Sequence, residues 1–369
     1  MTISPKTHRA PSPRSGVMEI AAYVPGSHKV AGIGKVHVLS ANESALGPSS
    51  KAVEAVRQVA AHLHQYPDGS ATELRVALGK RWGLDPARIV CGAGSDELIS
   101  LITHTYAGPG DEVLYSQYGF LMYPIAARAS GATPVAVPER HLTVDVAAVL
   151  AHVTDRTRIL FLANPNNPTG SYLSSETMRN LRERLRSDIL LVIDAAYAEY
   201  VGANDYTSGV ELVDAGENVV MTRTFSKIFG LASLRLGWAY CPTRIADALN
   251  RVRGPFNVSA AAQAAGIAAL EDVAQMDAAK AYNDKWRSWL EKNLQSLGLE
   301  VKPSVGNFLL TKFPSTAEKN ATVAAEFLAK KGILVRPMRA YGLGDYLRIT
   351  IGDEPALKAL VEALTDFCR

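Results

Sequence analysis

The chain has 369 residues, 47% apolar and 20% charged, with 39 basic against 36 acidic residues and a formal charge of +3. That length exceeds an ordinary domain of about 100–200 residues, so two domains around a large core are expected. No long basic block points to nucleic acid, no apolar run approaches a membrane span, and Cys91, Cys241 and Cys368 lie too far apart for a disulfide framework or a C-x-x-C metal pair, so the cytoplasm is the expected compartment.

The first sixteen residues carry Pro5, Pro11 and Pro13 among basic residues with no apolar core, and read as a mobile arm rather than a secretory signal. A helix is predicted from Ser49 to His64, entered through Pro48, and another over Thr72–Trp82, followed by a short buried strand at Ile89-Val90-Cys91. Further strands are expected at Glu112–Tyr115, Thr133–Val137, Arg158–Leu162, Ile189–Ile193 and Val219–Thr222, with helices between most of them. This alternation is the pattern of an α/β fold with a mainly parallel sheet covered on both faces. Gly237–Tyr240 reads as one more strand, close enough to its predecessor to run antiparallel. A long helical region, Ser259–Leu297, then leads into an α+β part with strands at Asn307–Phe313 and Tyr346–Ile351 and helices at Ala317–Lys330 and Glu354–Cys368. The expected division is 1–40, 41–258 and 259–369. None of the eight histidines forms His-Glu-x-x-His or a Cys/His cluster, so no metal site is expected.

The loops after these strands hold the candidate chemistry. Cys91-Gly92-Ala93-Gly94-Ser95-Asp96-Glu97 leaves a strand and opens a helix, where free N–H groups can receive a phosphate; a plain glycine turn fits equally well. Glu97 stands where a dinucleotide fingerprint needs glycine and suits a first helical turn better. Asn164-Pro165-Asn166-Asn167-Pro168-Thr169-Gly170 is a rigid turn that presents amide side chains, although a structural turn needs only one asparagine. Asp194 ends the apolar strand Leu190-Leu191-Val192-Ile193. A carboxylate there needs a cation or donor, and a protonated pyridine nitrogen or a helix cap would each serve. Lys227 lies in Thr224-Phe225-Ser226-Lys227 with Arg235 downstream, a layout in which an amine can bond an aldehyde whose phosphate the hydroxyls and the arginine hold.

Taken together, Asn-Pro-x-Asn-Pro-Thr-Gly, Asp-x-x-Tyr, Ser-Lys and Leu-Arg-x-Gly, in this order, resemble the fold-type I aminotransferases. Within them the chain resembles the histidinol-phosphate aminotransferase family, through Ala22-Tyr23-Val24-Pro25-Gly26, Asn42-Glu43, Gln65-Tyr66-Pro67-Asp68-Gly69, Pro255-Phe256-Asn257-Val258 and Leu347-Arg348-Ile349-Thr350-Ile351-Gly352. The resemblance implies a large domain with a seven-stranded sheet, a smaller α+β domain and pyridoxal 5'-phosphate as cofactor. It implies Lys227 as the Schiff-base lysine and proton carrier, Asp194 on the pyridine nitrogen, and Asn167 and Tyr197 on the phenolate oxygen. Ser95 and Asp96 amides, Thr224, Ser226 and Arg235 would hold the phosphate, and Tyr118 would stack on the ring. Tyr66 would reach the cofactor of a second subunit, making a homodimer. For the substrate it implies Arg348, assisted by Arg336 and Tyr23, with Asn42 and Asn307 lining the pocket. Ser44, Ala45, Phe229, Ser233 and Arg339 depart from the family pattern. The activity implied is transfer from L-histidinol phosphate to 2-oxoglutarate in histidine biosynthesis. Aromatic amino-acid transaminases and a threonine-phosphate decarboxylase share the same motifs.

Overall fold

The computed structural model describes residues 11–22, 29–30, 32 and 34–369, so Tyr23 and most of its motif lie outside the described residues. Its central sheet has seven strands: β1 (Ile89–Gly92), β2 (Glu112–Ser116), β3 (Thr133–Val137), β4 (Thr157–Ala163), β5 (Leu190–Asp194), β6 (Val219–Thr224) and β7 (Gly237–Tyr240). Their spatial order is β1-β7-β6-β5-β4-β2-β3. All neighbours are parallel except β7, which runs antiparallel to both β1 and β6. Every residue of β5 and β6 is buried, because helices cover both faces; Leu190–Ile193 and Val219–Met221 are therefore unbroken apolar runs, while Thr222, Arg223 and Thr224 are buried polar residues that end β6.

The register explains why the loops meet. Gly237 opens β7 opposite both Gly92 at the end of β1 and Thr224 at the end of β6. The glycine turn, the lysine loop and Arg235 are thereby brought to the same sheet edge, which also carries the carboxyl ends of β4 and β5. Gly237 is required there, since a Cβ would stand 2.5 Å from the Ser95 nitrogen.

The smaller α+β domain has a four-stranded antiparallel sheet of β8 (Glu300–Lys302), β9 (Phe308–Lys312), β10 (Arg336–Pro337) and β11 (Tyr346–Thr350), in the order β8-β9-β11-β10. Helices Ala321–Lys330 and Glu354–Cys368 pack on it around Leu309, Leu347, Ile349, Leu357 and Leu360. His37–Val38 pairs in parallel with Ile333–Leu334, placing the segment before Ser40 alongside this domain.

Three predicted helices differ in extent. The first spans only Ser50–Val59 before a 3-10 turn at Ala60–His62, and the last but one begins at Ala321 rather than Ala317, capped by Asn320. The single region Ser259–Leu297 is two helices, Ala260–Glu271 and Val273–Ser296, broken at Asp272. Asp272 leaves the helical conformation, and its carboxylate accepts from the Ser49 hydroxyl. The first of the two buries Ala262, Ala265 and Ala269 in the large core, whereas Trp286, Leu290 and Leu294 of the second belong to the small one.

Candidate active site

A cavity of about 280 Å³ opens between the sheet edge and the small domain, and Lys227, Asp194, Arg235 and Arg348 all line it. Lys227 projects from the loop after β6, its Nζ 3.5 Å from the Ala41 carbonyl and 5.7 Å from the centre of the Tyr197 ring.

One end of the cavity is built for an anion. The helix Ser95–Tyr106 starts at Ser95, so the first N–H groups of its dipole face the cavity. Gly94 (φ +83°) permits the turn, and a Cβ on it would meet the Arg235 guanidinium at 2.5 Å. Arg235 donates to Ser226 Oγ at 3.3 Å and Asp96 Oδ2 at 2.9 Å, while Thr224 Oγ1 donates to Ser226 Oγ at 3.0 Å. Glu97 reaches back to accept from the Ala93 N–H at 2.6 Å and from Asn257 at 2.7 Å, so it closes the turn from behind.

The other end is built for a cationic or N–H group. Asp194 is 5% exposed and accepts from the Tyr123 hydroxyl at 2.8 Å and the Ala196 N–H at 3.3 Å, both neutral donors. Burial pushes its carboxyl up to about 6, against the lowering effect of Tyr123. A protonated ring nitrogen would satisfy it.

Tyr197, Asn167 and Asn42 also line the cavity. The Tyr197 hydroxyl accepts from Asn42 Nδ2 at 2.9 Å, which leaves its own proton to donate; burial holds this phenol above its usual range. Asn167 Oδ1 accepts from Arg348 at 2.5 Å, which leaves its amide N–H groups as donors. The remaining asparagines of the turn are structural: Asn164 bridges both polar groups of Leu173, and Asn166 donates to Thr169 and the Tyr118 carbonyl. Three asparagines thus have three separate tasks.

Arg336 and Arg348 sit directly opposite each other on β10 and β11, and both line the cavity. Arg348, 7% exposed, also donates to the Ser40 carbonyl at 2.7 Å and lies over the Phe308 ring at 5.7 Å.

Three of the expected residues do not line this cavity, and for Tyr66, expected to serve a second subunit, that is no departure. Tyr118 packs toward Leu310, Met338 and Leu343, and Phe120, two residues on, lines the cavity in its stead. Asn307 does not line the main cavity; its amide donates to the carbonyls of Asn42 and Glu43 at 3.0 and 3.2 Å, supporting the left-handed Asn42 (φ +54°) from behind. Tyr66 is 82% exposed and stacks on Phe256 at 4.6 Å, away from the cavity of its own chain. Of the departures, Ser44 and Ala45 border a small void beside Asn307, Phe229 is buried against Phe225, and Ser233 and Arg339 are exposed. Tyr123 and Tyr341 were not anticipated. Tyr123 reaches Asp194 from 71 positions away, and Tyr341 enters the cavity from a single 3-10 turn, Arg339–Tyr341. Only the aromatic spacing of Tyr118-Gly119-Phe120 could have pointed to Phe120.

Among the described residues no cluster of metal-ligating side chains occurs, and no helix is long and apolar enough to cross a membrane.

Residues 34–364 match aminotransferase class I and II, and the fold is that of this class. The histidinol-phosphate aminotransferases of Paramagnetospirillum magneticum and Rhodospirillum centenum are 58% and 56% identical to the chain, each over 97% of it and 99% of the relative. A crystal structure of the Sinorhizobium meliloti histidinol-phosphate aminotransferase in complex with pyridoxal-5'-phosphate superposes with a TM-score of 0.84 at 29% identity, covering 91% of this chain and 92% of that one. The chain belongs to the histidinol-phosphate aminotransferase family.

Proposed function

We propose that the chain moves an amino group from L-histidinol phosphate to 2-oxoglutarate, giving imidazole-acetol phosphate and L-glutamate in histidine biosynthesis, with pyridoxal 5'-phosphate as cofactor. The observation that carries this reading is one cavity that joins an amine, an anion cradle, a buried carboxylate and two facing arginines. The donor set fits the cofactor at every end: neutral hydroxyls and one guanidinium for a phosphate, and a carboxylate held only by neutral donors for a ring nitrogen. When bound, the cofactor supplies an aldehyde carbon that exchanges amino groups and a ring that withdraws electrons.

In this reading Ser95, Asp96, Thr224, Ser226 and Arg235 hold the phosphate, and Asp194 keeps the ring nitrogen protonated. Asn167 and Tyr197 donate to the ring oxygen with the protons their own hydrogen bonds leave available. Phe120 takes the ring-covering place first expected of Tyr118. Lys227 carries the proton between the substrate Cα and the aldehyde carbon. Arg348, with Arg336 opposite, holds the substrate's anion, which is a phosphate in one substrate and a carboxylate in the other, and a planar guanidinium suits both. The exposed Tyr66 and Phe256 belong to the interface of a homodimer, with Tyr66 completing the phosphate site of the partner subunit. Three unpaired thiols fit the cytoplasm.

Steady-state glutamate formation from 2-oxoglutarate tests the reading, with histidinol phosphate and phenylalanine compared as donors. A kcat/KM higher for histidinol phosphate by at least about tenfold is expected. Equal values would make the chain an aromatic transaminase.

A further inference from the structure

We infer that Glu139 is a positioning residue for amino transfer, fixing the Tyr118–Phe120 wall of the cavity through the backbone of Tyr118; this rests on the proposed function. Glu139 begins a small hairpin, Glu139–Arg140 paired with Thr143–Val144, whose turn residues His141 and Leu142 have φ of +52° and +60°. Leucine rarely adopts a left-handed backbone, and such a conformation persists only where its surroundings over-determine it.

A closed circuit of hydrogen bonds does so here. The Tyr118 N–H donates to Glu139 Oε1 at 3.2 Å, and the Tyr118 carbonyl accepts from Asn166 Nδ2 at 3.3 Å. Asn166 also donates to Thr169 Oγ1 at 2.9 Å, the Thr169 and Ser171 hydroxyls are 2.8 Å apart, and Ser171 donates to the Leu142 carbonyl at 2.9 Å. Each hydroxyl has one proton. Since Ser171 gives its proton to Leu142, Thr169 must give its own to Ser171, so every donor on this arm points toward the hairpin. Leu142 then packs with Leu310, Met338 and Leu343 of the small domain.

The hairpin and the asparagine turn thus hold Tyr118 by both of its backbone polar groups, and the other Glu139 oxygen is shut off from solvent. Phe120 lines the cavity and sits edge-on to Tyr123 at 6.0 Å, and Tyr123 donates to Asp194. Releasing Tyr118 would therefore loosen the wall next to the ring-nitrogen partner. None of Tyr118, Glu139, Leu142, Asn166, Thr169 and Ser171 lines the cavity, so the role is one of positioning.

The test compares wild-type, Glu139→Ala and Glu139→Gln holoenzymes by cofactor release on dilution, followed by fluorescence, and by the visible circular dichroism of the bound cofactor. Alanine is expected to speed release about tenfold and weaken the dichroism, whereas glutamine, which keeps a carbonyl acceptor, stays within about twofold of wild type. Ser171→Ala opens the same circuit at Leu142 and should shift release in the same direction, which covers the case of an unfolded Glu139→Ala. Wild-type release and dichroism in Glu139→Ala, or in Ser171→Ala where Glu139→Ala does not fold, would overturn the inference. So would a glutamine variant as defective as alanine. A wild-type protein that takes up no pyridoxal phosphate would instead overturn the proposed function.

Discussion

Asp194 lies at the end of β5 with only neutral donors beside it, and burial has raised its carboxyl from 3.8 to about 6. The folded chain therefore binds this proton more tightly than the unfolded chain does. The stability this contributes is fully present below about pH 3.8 and is lost as pH rises through about 6. In cofactor-free protein, Asp194→Asn should thus raise the unfolding free energy at pH 7 to 8 by an amount on the order of 3 kcal/mol, seen as a higher melting temperature, and flatten the decline of stability between about pH 4 and pH 6. The same variant should be inactive in amino transfer; thermal scans with and without cofactor check both statements. Arg348 is a second case in which the surroundings set the role, since Asn167 and Ser40 hold its guanidinium in place. Arg348→Ala should lower kcat/KM about 10- to 100-fold for the amino donor and for 2-oxoglutarate alike. Initial rates with each substrate varied check this, and a loss confined to one substrate would contradict a shared anion subsite.

Among the elements, the glycine turn before helix Ser95–Tyr106 depends most on a single residue. Alanine at Gly94 would adopt an unfavourable φ and push the Arg235 guanidinium away from Ser226 and Asp96. Gly94→Ala should weaken cofactor binding about tenfold while the protein stays folded, as measured by equilibrium titration beside a melting curve. Elements buried on both faces were the legible ones: β4, β5 and β6 stand out because their apolar runs are unbroken and end in polar loops. The two-residue strand β10 has no period to read, and its partner in register, Arg348, lies twelve positions further on. The break at Asp272 was equally hidden, because alanine-rich sequence continues across it and the reason for the break is a contact with Ser49. Lys227, Asp194 and Asn167 were legible because each follows a strand whose end could be placed. Tyr123 and Tyr341 were not, because what brings Tyr123 to Asp194 and Tyr341 to the cavity is packing between elements far apart in the chain.

For the whole molecule, an apolar surface remains around Tyr66, 82% exposed, with Leu63 at 75% and Phe256 at 46%. Exposed aromatic residues at this density fit the proposed homodimer interface. Sedimentation should give a dimer, and Phe256→Asp should yield monomers that release cofactor faster, because Tyr66 no longer reaches the partner's site; a monomeric wild type would contradict this. The most direct measurement for the account as a whole is a set of half-reactions on the purified holoenzyme. It would be mixed separately with histidinol phosphate, glutamate, phenylalanine and threonine phosphate while the bound cofactor's absorbance is followed from its aldehyde to its amine form. Rapid conversion by histidinol phosphate and glutamate, with slow conversion by the other two, is the predicted result. No conversion by histidinol phosphate, or conversion by phenylalanine at the same rate, would contradict it.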